Sequence, residues 1–281
     1  MNKHRLSQGM TLVELLIGLL ITGILLEIML TMFSSNTKLA AQYNSRSDMQ
    51  QDTLLAQQLI TGRLREAYYI WPAGQTINLS SSQAGSPSAK TYQNPLTGSS
   101  IWTTGTQPIL AMLLPPKDAS SSCTATDCLY AFYAYYPVKR SVWVSGTSGS
   151  NNPGPDSVNG DAWILVQYKG YMNSSYNAVA SNSATTVPDL ASYLTFSTAN
   201  AQPLADYIAP SVGGSRTYTM FRLQNAANPT QTTSTTLPVD TVTVTLASAR
   251  QVGGQQLRLP SASSEYSLTV NASNQGKIPS P

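Results

Sequence analysis

The chain has 281 residues, of which 10% are charged, whereas an ordinary soluble domain has roughly 25%. This shortage of charge argues against an ordinary cytosolic enzyme, and a net charge of +3 over the whole length attracts nucleic acid or an anionic membrane only weakly. The one histidine, His4, precedes the body of the protein, which leaves no histidine there for general-base catalysis or a metal site.

A short basic segment, MNKHRLSQG, leads into a nearly continuous apolar run from Met10 to Phe33. As a helix, these 24 residues would be about 36 Å long, enough to cross a hydrocarbon core of about 30 Å. Lys3 and Arg5 precede the run, so the positive-inside bias predicts a cytoplasmic amino terminus. Everything after Phe33 is then expected outside the cytoplasm.

Two carboxylates, Glu14 and Glu27, interrupt the apolar run. A carboxylate inside a membrane is costly unless a partner stabilises it, so each acid is a functional candidate. A cleaved secretory signal fits poorly, because the run carries these acids and is longer than the usual apolar region of about 7–15 residues. A simple uncleaved anchor that tolerates both acids is the alternative.

Residues 9–14, GMTLVE, and the apolar run behind them resemble the prepilin signature of type IV pilins and type II secretion pseudopilins. The resemblance implies that a prepilin peptidase cuts between Gly9 and Met10 and that the new amino terminus is N-methylated. It also implies that Glu14 pairs with the amino terminus of a neighbouring subunit, because two charges that are costly in hydrocarbon offset one another. Loss of Lys3 and Arg5 with the leader would lower the formal net charge from +3 to +1.

Two positions depart from the pattern of major pilins. Many major pilins carry a helix-breaking proline where this chain has Thr31, and Glu27 is an additional acid in the apolar run. These departures favour a minor subunit over the bulk subunit of a fibre.

The helical pattern continues beyond the apolar run but becomes amphipathic over Ser34–Ile70. No proline interrupts it before Pro72, so the sequence predicts one helix from Met10 to about Ile70, roughly 90 Å long. Its apolar side chains are expected to pack on the chain's own domain: Leu39, Tyr43, Met49, Ala56, Ile60, Leu64 and Ala67. The segment Gln57–Ala67 resembles the end of the long helix in PilW-type minor pilins and GspJ-type pseudopilins.

A polar, strand-rich region follows Pro72. Gln75–Gly105 is rich in Ser, Thr, Gln and Gly and is expected to be an exposed loop region. Short apolar runs then predict strands at Ile109–Leu114, Leu129–Val138, Trp163–Tyr168, Thr217–Leu223, Thr241–Leu246 and Tyr266–Asn271. The segments VDTVTVTLASARQVGGQQL and SEYSLTVNASN resemble the closing hairpin of the same minor pilin group. A long helix followed by antiparallel strands is an α+β, pilin-like layout.

The two cysteines, Cys123 and Cys128, are separated by TATD. In an extracytoplasmic domain this spacing predicts a disulfide that holds the loop before the next strand. The CxxC redox spacing and further zinc ligands are missing. Asp156, Asn159 and Asp161 form an oxygen cluster without the spacing of an EF-hand, and these are ordinary turn residues, so no metal or other cofactor is expected.

Aromatic and basic residues are interleaved in LYAFYAYYPVKR, residues 129–140, and again near Tyr168. Proteins that bind single-stranded nucleic acid show such interleaving, which makes Lys139, Arg140 and Lys169 candidate contacts with DNA or another surface. If the first segment is a strand, however, its aromatic side chains are divided between two faces, and one face is simply core.

The sequence thus predicts four segments. They are a leader peptide over residues 1–9, the transmembrane and assembly half of the helix over 10–33, its amphipathic half over 34–71, and a β-rich extracytoplasmic head over 72–281. No Walker loop, GxSxG elbow, HExxH or dinucleotide fingerprint is present in the sequence, so an enzyme is not expected.

The resemblance implies a PilW-like minor pilin whose partners are the prepilin peptidase, the pilus assembly platform and other major and minor pilins. The prepilin would lie in the inner membrane with its head in the periplasm and would later join the pilus at the cell surface. There it would support twitching motility, adhesion or DNA uptake. A GspJ-like pseudopilin of type II secretion and a membrane-anchored adhesin or DNA receptor are the alternatives.

Overall fold

A helix of 55 residues, α1 (Leu12–Glu66), leads into a head of antiparallel strands. The computed structural model describes residues 11–79, 89–117, 126–176, 190–212, 217–224 and 239–271. The predicted α+β class, with a long amino-terminal helix followed by an antiparallel sheet, is confirmed. The helix ends before the predicted Ile70, because Ala67 is already extended and Tyr69–Ile70 form a strand.

Strands, short helices and single 3-10 turns follow α1. The strands are β1 Tyr69–Ile70, β2 Thr76–Asn78, β3 Ile101–Thr103, β4 Leu110–Leu114, β5 Ala131–Lys139, β6 Trp163–Met172, β7 Leu194–Ile208, β8 Phe221–Gln224, β9 Thr241–Leu246, β10 Ser248–Val252, β11 Gln255–Leu259 and β12 Tyr266–Asn271. The short helices are α2 Arg140–Gly146 and α3 Leu190–Tyr193. The 3-10 turns are Ala89–Tyr92, Thr126–Cys128 and Gly149–Asn151.

A seven-stranded antiparallel sheet forms the centre of the head, in the order β1-β4-β5-β6-β7-β10-β11. Successive residues of a strand point to opposite faces, so its side chains enter two separate cores. In β5, Phe132 and Tyr136 enter one core and Tyr133 and Tyr135 enter the other. The predicted division of this aromatic segment between two faces is therefore confirmed, but both faces, and not only one, are core.

Different elements cover the two faces of the central sheet. On one face, α1 and a three-stranded sheet of order β12-β9-β8 share a core in which Ile60 of the helix lies with Val244 of β9. The core on the other face is aromatic and includes side chains from the β2–β3 hairpin and α2. Three of its buried indoles are Trp71, Trp102 and Trp143.

The amphipathic half of α1 docks on the head over only part of its predicted length. Met49, Ala56 and Ile60 are buried as expected. Leu39 and Tyr43 are exposed, so the prediction that they pack on the chain's own domain is wrong. Ser45 is the first residue of the helix that the head buries, although Gln42 already contacts Gln255, and the part of the helix before Lys38 extends beyond the head.

The prediction of an exposed loop over Gln75–Gly105 is wrong. Its described parts contain the β2–β3 hairpin, in which Ile77 pairs with Trp102 and both are buried. The Trp102 indole nitrogen donates to the carbonyl oxygen of Tyr92 at 3.3 Å. The polar composition of the segment obscures these few apolar residues, each of which points inward from an otherwise polar turn or strand.

The six predicted strands are all present, although β8 is displaced and covers only Phe221–Gln224 instead of Thr217–Leu223. Strand β7 and the β10–β11 hairpin were not predicted. Polar residues and Pro203 conceal β7, since proline interrupts the usual strand pattern. Proline is tolerated at position 203 because β7 pairs with β10 only at Ile208. The edge of β7 beside Pro203 that faces β10 therefore needs no backbone N–H donor.

Candidate functional site

The first half of α1 is an uncovered apolar rod. Every large apolar side chain from Leu12 to Phe33 is exposed, from 50% at Ile28 to 76% at Leu12. The helix is long and apolar enough to cross a membrane. A helix that is apolar on all sides requires lipid or other helices around it, so this rod is the main candidate surface for assembly.

Glu14 belongs to a capping box at the start of α1. The backbone nitrogen of Thr11 donates to Glu14 Oε2 at 2.9 Å, and the Thr11 hydroxyl donates to the same oxygen at 3.0 Å. In return, the Glu14 backbone nitrogen donates to the Thr11 hydroxyl at 3.3 Å. The carboxylate is therefore held at the amino-terminal end of the helix, where its charge also complements the helix dipole. Gly9 and Met10, the predicted processing residues, lie outside the described residues.

Glu27 lies in the middle of the exposed rod rather than at its end. Among the described residues its carboxylate has no hydrogen bond or ion pair. Its backbone oxygen accepts a hydrogen bond from the Thr31 hydroxyl at 2.9 Å, so that hydroxyl has its acceptor within the same helix. Thr31 does not break the helix at the position where many major pilins have proline.

Polar contacts orient α1 on the head. Gln57 Nε2 donates to the carbonyl oxygen of Val244 at 2.9 Å and to that of Tyr266 at 3.2 Å. The hydroxyls of Thr53 and Ser248 form a buried hydrogen bond. Because these groups lie within an apolar interface, they define one rotation of the helix, and sequence periodicity did not indicate them.

Arg140 is buried, and this corrects its prediction as a nucleic-acid or surface contact. Its side chain is 3% exposed, and its Nε lies 3.1 Å from both carboxylate oxygens of Asp206. Its guanidinium also lies 4.9 Å from the ring centre of Tyr207. Burial raises the pKa of Asp206 above its ordinary value, although the nearby Arg140 opposes this shift. A buried arginine with a paired carboxylate is a structural ion pair.

Tyr207 occupies a strained position at the end of β7. It has a φ of 56°, in the left-handed region that favours glycine, next to a shift in the β6–β7 register. The Arg250 guanidinium carbon lies 4.2 Å from the ring centre of Tyr207, and the Tyr207 hydroxyl donates to Asp156 Oδ2 at 3.1 Å. Burial alone would raise the pKa of Asp156, but hydrogen bonds from Asn159 and Tyr207 outweigh it and lower that pKa. The bulge therefore places the Tyr207 side chain in contact with Arg250 and Asp156.

The oxygen cluster of Asp156, Asn159 and Asp161 contacts other groups of the protein. Asn159 Nδ2 donates to Asp156 Oδ2 at 2.9 Å, and Asn159 Oδ1 accepts from the backbone nitrogen of Gln251 at 2.6 Å. Asp161 instead lies 4.0 Å from Lys139 Nζ. In the part of the chain that is described, no three acidic, histidine or cysteine side chains are grouped to hold a metal ion.

Lys139 and Lys169 lie at opposite ends of the β5–β6 pair, where they face Trp163 and Tyr133 respectively. Lys169 Nζ lies 4.9 Å from the ring centre of Tyr171, and a hydrogen bond with Tyr171 raises the pKa of the lysine. The three predicted contact residues therefore do not form one surface.

A cleft of about 240 Å³ brings Lys169 together with Arg63 from the end of α1 and Lys117. Arg63 forms an ion pair with Glu66 at 3.5 Å, and Lys117 forms one with Asp127 at 3.8 Å. Sequence reasoning missed this cluster because its cations come from three distant segments. Each cation already has an acidic or aromatic neighbour.

Cys128 is buried and disulfide-bonded at the end of a 3-10 turn just before β5. Cys123, its predicted partner and the other cysteine of the chain, lies outside the described residues. The position of Cys128 agrees with a bridge that holds the approach to β5.

No protein-family model, curated protein or solved structure matches the chain. Function is therefore inferred from α1 and from the surfaces of the head.

Proposed function

We propose that this chain is a minor type IV prepilin, similar to PilW, that is processed after Gly9 and packs into a pilus or its initiation complex. The supporting observation is that α1 is one continuous helix with two different environments. Its second half is docked on the head, whereas its first half, from Leu12 to Phe33, is uncovered on all sides.

This division determines what the first half of the helix can contact. In the membrane it is surrounded by lipid, and in a fibre the same surface packs against the helices of other pilins. Burial of apolar surface supplies the free energy of packing in water, whereas shape and polar contacts supply it in lipid. Assembly, rather than turnover of a substrate, is the proposed activity.

Glu14 is proposed to guide this packing. Its carboxylate lies at the beginning of the helix, bonded to Thr11 through Oε2. In the proposed assembly the same group neutralises the amino terminus of an adjacent subunit, which brings neighbouring helices into register. The β-rich head would then lie at or near the fibre tip, where it would support twitching motility, adhesion or DNA uptake.

A GspJ-like pseudopilin of type II secretion would have the same architecture and the same processing. The two roles differ in their partner proteins, so genes for pilus components beside this one would favour the first, and genes for secretion components the second.

A membrane-anchored DNA receptor is a second candidate, favoured by the cleft that combines Arg63, Lys117 and Lys169. Single-stranded DNA should then bind the full chain in detergent, and log K should fall with log salt by about 0.7 for each phosphate contact. Lys169→Gln should make that salt dependence shallower, while Lys139→Gln at the far end of the strand pair serves as the control. Undetectable binding at low salt would exclude this candidate.

The test of the main proposal is the intact mass and amino-terminal sequence of the membrane-extracted protein, with the prepilin peptidase present or deleted. A chain that begins at methylated Met10 only when the peptidase is present would support the prepilin proposal. A chain that retains Met1–Gly9 in both strains would refute it and favour an ordinary signal anchor.

A further inference from the structure

Four polar residues share one face of α1 at the outer end of its apolar run. Glu27, Thr31, Ser34 and Lys38, called here the Glu27 stripe, are spaced by four, three and four residues and therefore lie along a single face of the helix. Glu27 and Thr31 lie within the apolar part from Leu12 to Phe33, in which the other polar side chains are Glu14 and Thr22, and Ser34 and Lys38 follow Phe33.

The two charged members of the Glu27 stripe lack partners within the described chain. The Thr31 hydroxyl donates to the helix backbone, but neither the Glu27 carboxylate nor Lys38 Nζ has a hydrogen bond or ion pair among the described residues. Both side chains are exposed. The stripe thus presents an unpaired acid and an unpaired cation on one face.

The Glu27 stripe lies on the side of α1 that faces the head. Ser45 follows Glu27 by eighteen residues, which is five turns at about 3.6 residues per turn, and Ser45 is buried against the head. At the upper end of the stripe, Gln42 Nε2 donates to Gln255 Oε1 of the β10–β11 hairpin at 3.1 Å. The head therefore lies at the carboxyl-terminal end of the stripe and does not cover Glu27 or Thr31.

Glu27 is too deep for a lipid headgroup to neutralise it easily. It precedes Phe33, the last residue of the apolar run, by six residues, or about 9 Å of helix. Lys38 lies eleven residues beyond Glu27, about 16 Å further along the same face. Lys38 lies five residues beyond Phe33, where water and headgroups solvate it, so Glu27 is the charge that needs a partner inside the hydrocarbon. A second helix can supply a cation at that depth, and an acid opposite Lys38 would fix the alignment of the two helices.

We propose that the Glu27 stripe binds a transmembrane helix of another protein, one that carries a lysine or arginine at the depth of Glu27 and an acid about three turns further out, opposite Lys38. This inference depends on the membrane insertion of α1 within the proposed function, but not on processing or on a pilus. Intramembrane acids in proteins typically face such a partner inside a helix bundle.

The test uses the full chain, labelled with a donor fluorophore and reconstituted in phosphatidylcholine vesicles. The probe is a synthetic Leu/Ala transmembrane peptide labelled with an acceptor, with one Lys at the depth of Glu27 and one Glu eleven residues further out. A matching peptide has Leu and Ala at these two positions. Energy transfer as a function of peptide density gives the association constant for each pair.

We expect the charged peptide to associate roughly tenfold more tightly than the uncharged one, the order of magnitude of interhelical polar contacts in membranes. Glu27→Leu should abolish the difference. Thr22→Leu, a comparable change on the opposite side of the helix, should preserve it. Glu27→Lys should instead prefer a peptide with Glu at the inner position, which a loss of folding would not produce.

Equal association of the two peptides with the wild-type chain, or an unchanged preference in Glu27→Leu, would overturn the inference. If added phosphatidylethanolamine abolished the preference for the charged peptide, a lipid headgroup would be the partner instead, and the inference would be wrong. The mass measurement described above tests processing separately, so a failed peptide test and a failed prepilin proposal are distinguishable.

Discussion

Glu14 has two contributions at the residue scale, and substitution separates them. As the third residue of the capping box it bonds to Thr11, and as a carboxylate it supplies the charge proposed to neutralise a neighbouring amino terminus. Glutamine preserves the first contribution and removes the second, whereas alanine removes both.

We therefore expect Glu14→Gln and Glu14→Ala to be processed normally and to be incorporated poorly into the assembly. Loss of the reciprocal bond from Glu14 to Thr11 in Glu14→Ala should in addition fray the first turn of the helix. The measurement is the ratio of assembled to membrane-retained protein, with Thr22→Ala as the control. Normal incorporation of Glu14→Gln would show that capping, and not charge pairing, is the contribution of this residue.

Arg140 and Asp206 form the one ion pair among the described residues whose cation is almost completely buried. Arg140→Ala leaves the Asp206 carboxylate without its partner and should lower the free energy of unfolding by about 3–5 kcal/mol at neutral pH. Lys139→Ala removes an exposed pair at 4.0 Å and should cost at most about 1 kcal/mol. Denaturant unfolding of the full chain in detergent, followed by the fluorescence of the tryptophans in the head, measures both.

The destabilisation in Arg140→Ala should depend on pH. Burial holds the folded-state pKa of Asp206 above the unfolded value, so the folded protein binds the proton first and its free energy of unfolding rises as the pH falls through the folded pKa. Without Arg140 that pKa rises further, so the variant should recover more stability than the wild type on acidification. If the difference in free energy of unfolding between the wild type and Arg140→Ala stayed constant from neutral to acidic pH, this account of Asp206 would be wrong.

At the scale of elements, Gln57 joins α1 to the three-stranded sheet. It donates to carbonyl oxygens on β9 and β12, at 2.9 and 3.2 Å. Both contacts lie where the helix packs over the sheet, so the loss of one side chain removes two hydrogen bonds between them.

Gln57→Ala should therefore reduce the free energy of unfolding by about 1–3 kcal/mol, because it removes two hydrogen bonds that each contribute about 0.5–1.5 kcal/mol. Hydrogen exchange of β9 and β12 should become faster, because these strands lose their link to the helix. Gln58→Ala changes the neighbouring exposed glutamine and should have little effect. Equal exchange rates in the two variants would show that apolar packing alone holds the helix on the sheet.

At the scale of the whole molecule, the apolar half of α1 contributes nothing to the two cores of the head. Neither core includes a residue before Ala56, and the first buried residue of the helix is Ser45. The head and the docked half of the helix therefore contain the interactions that stabilise the fold.

A chain that begins at Ser34 should consequently fold without detergent. Its free energy of unfolding should equal that of the full chain in detergent within about 0.5 kcal/mol, the usual range for changes at exposed sites. Denaturant unfolding and near-UV circular dichroism of the two proteins provide the comparison. A truncated chain that is unfolded or markedly weaker would show that the apolar half packs on the head.

The sequence by itself determined the features that depend on local pattern. The apolar run, the absence of proline before Pro72 and the alternation in Thr241–Leu246 and Tyr266–Asn271 were sufficient to predict a long helix followed by antiparallel strands, because helix and strand periodicities are properties of neighbouring residues. The acids in the apolar run were equally visible, because a charge is conspicuous where every neighbour is apolar.

Only the tertiary structure decided which of these residues meet. Burial of Arg140, the approach of Gln57 to β9 and the inclusion of β7 in the central sheet depend on contacts between segments far apart in the chain. A polar strand such as β7, or a basic side chain such as Arg140, has no local pattern that reveals a partner supplied by another element. The β10–β11 hairpin likewise reaches α1 no further than Lys38 and Gln42, which leaves Glu27 and Thr31 uncovered.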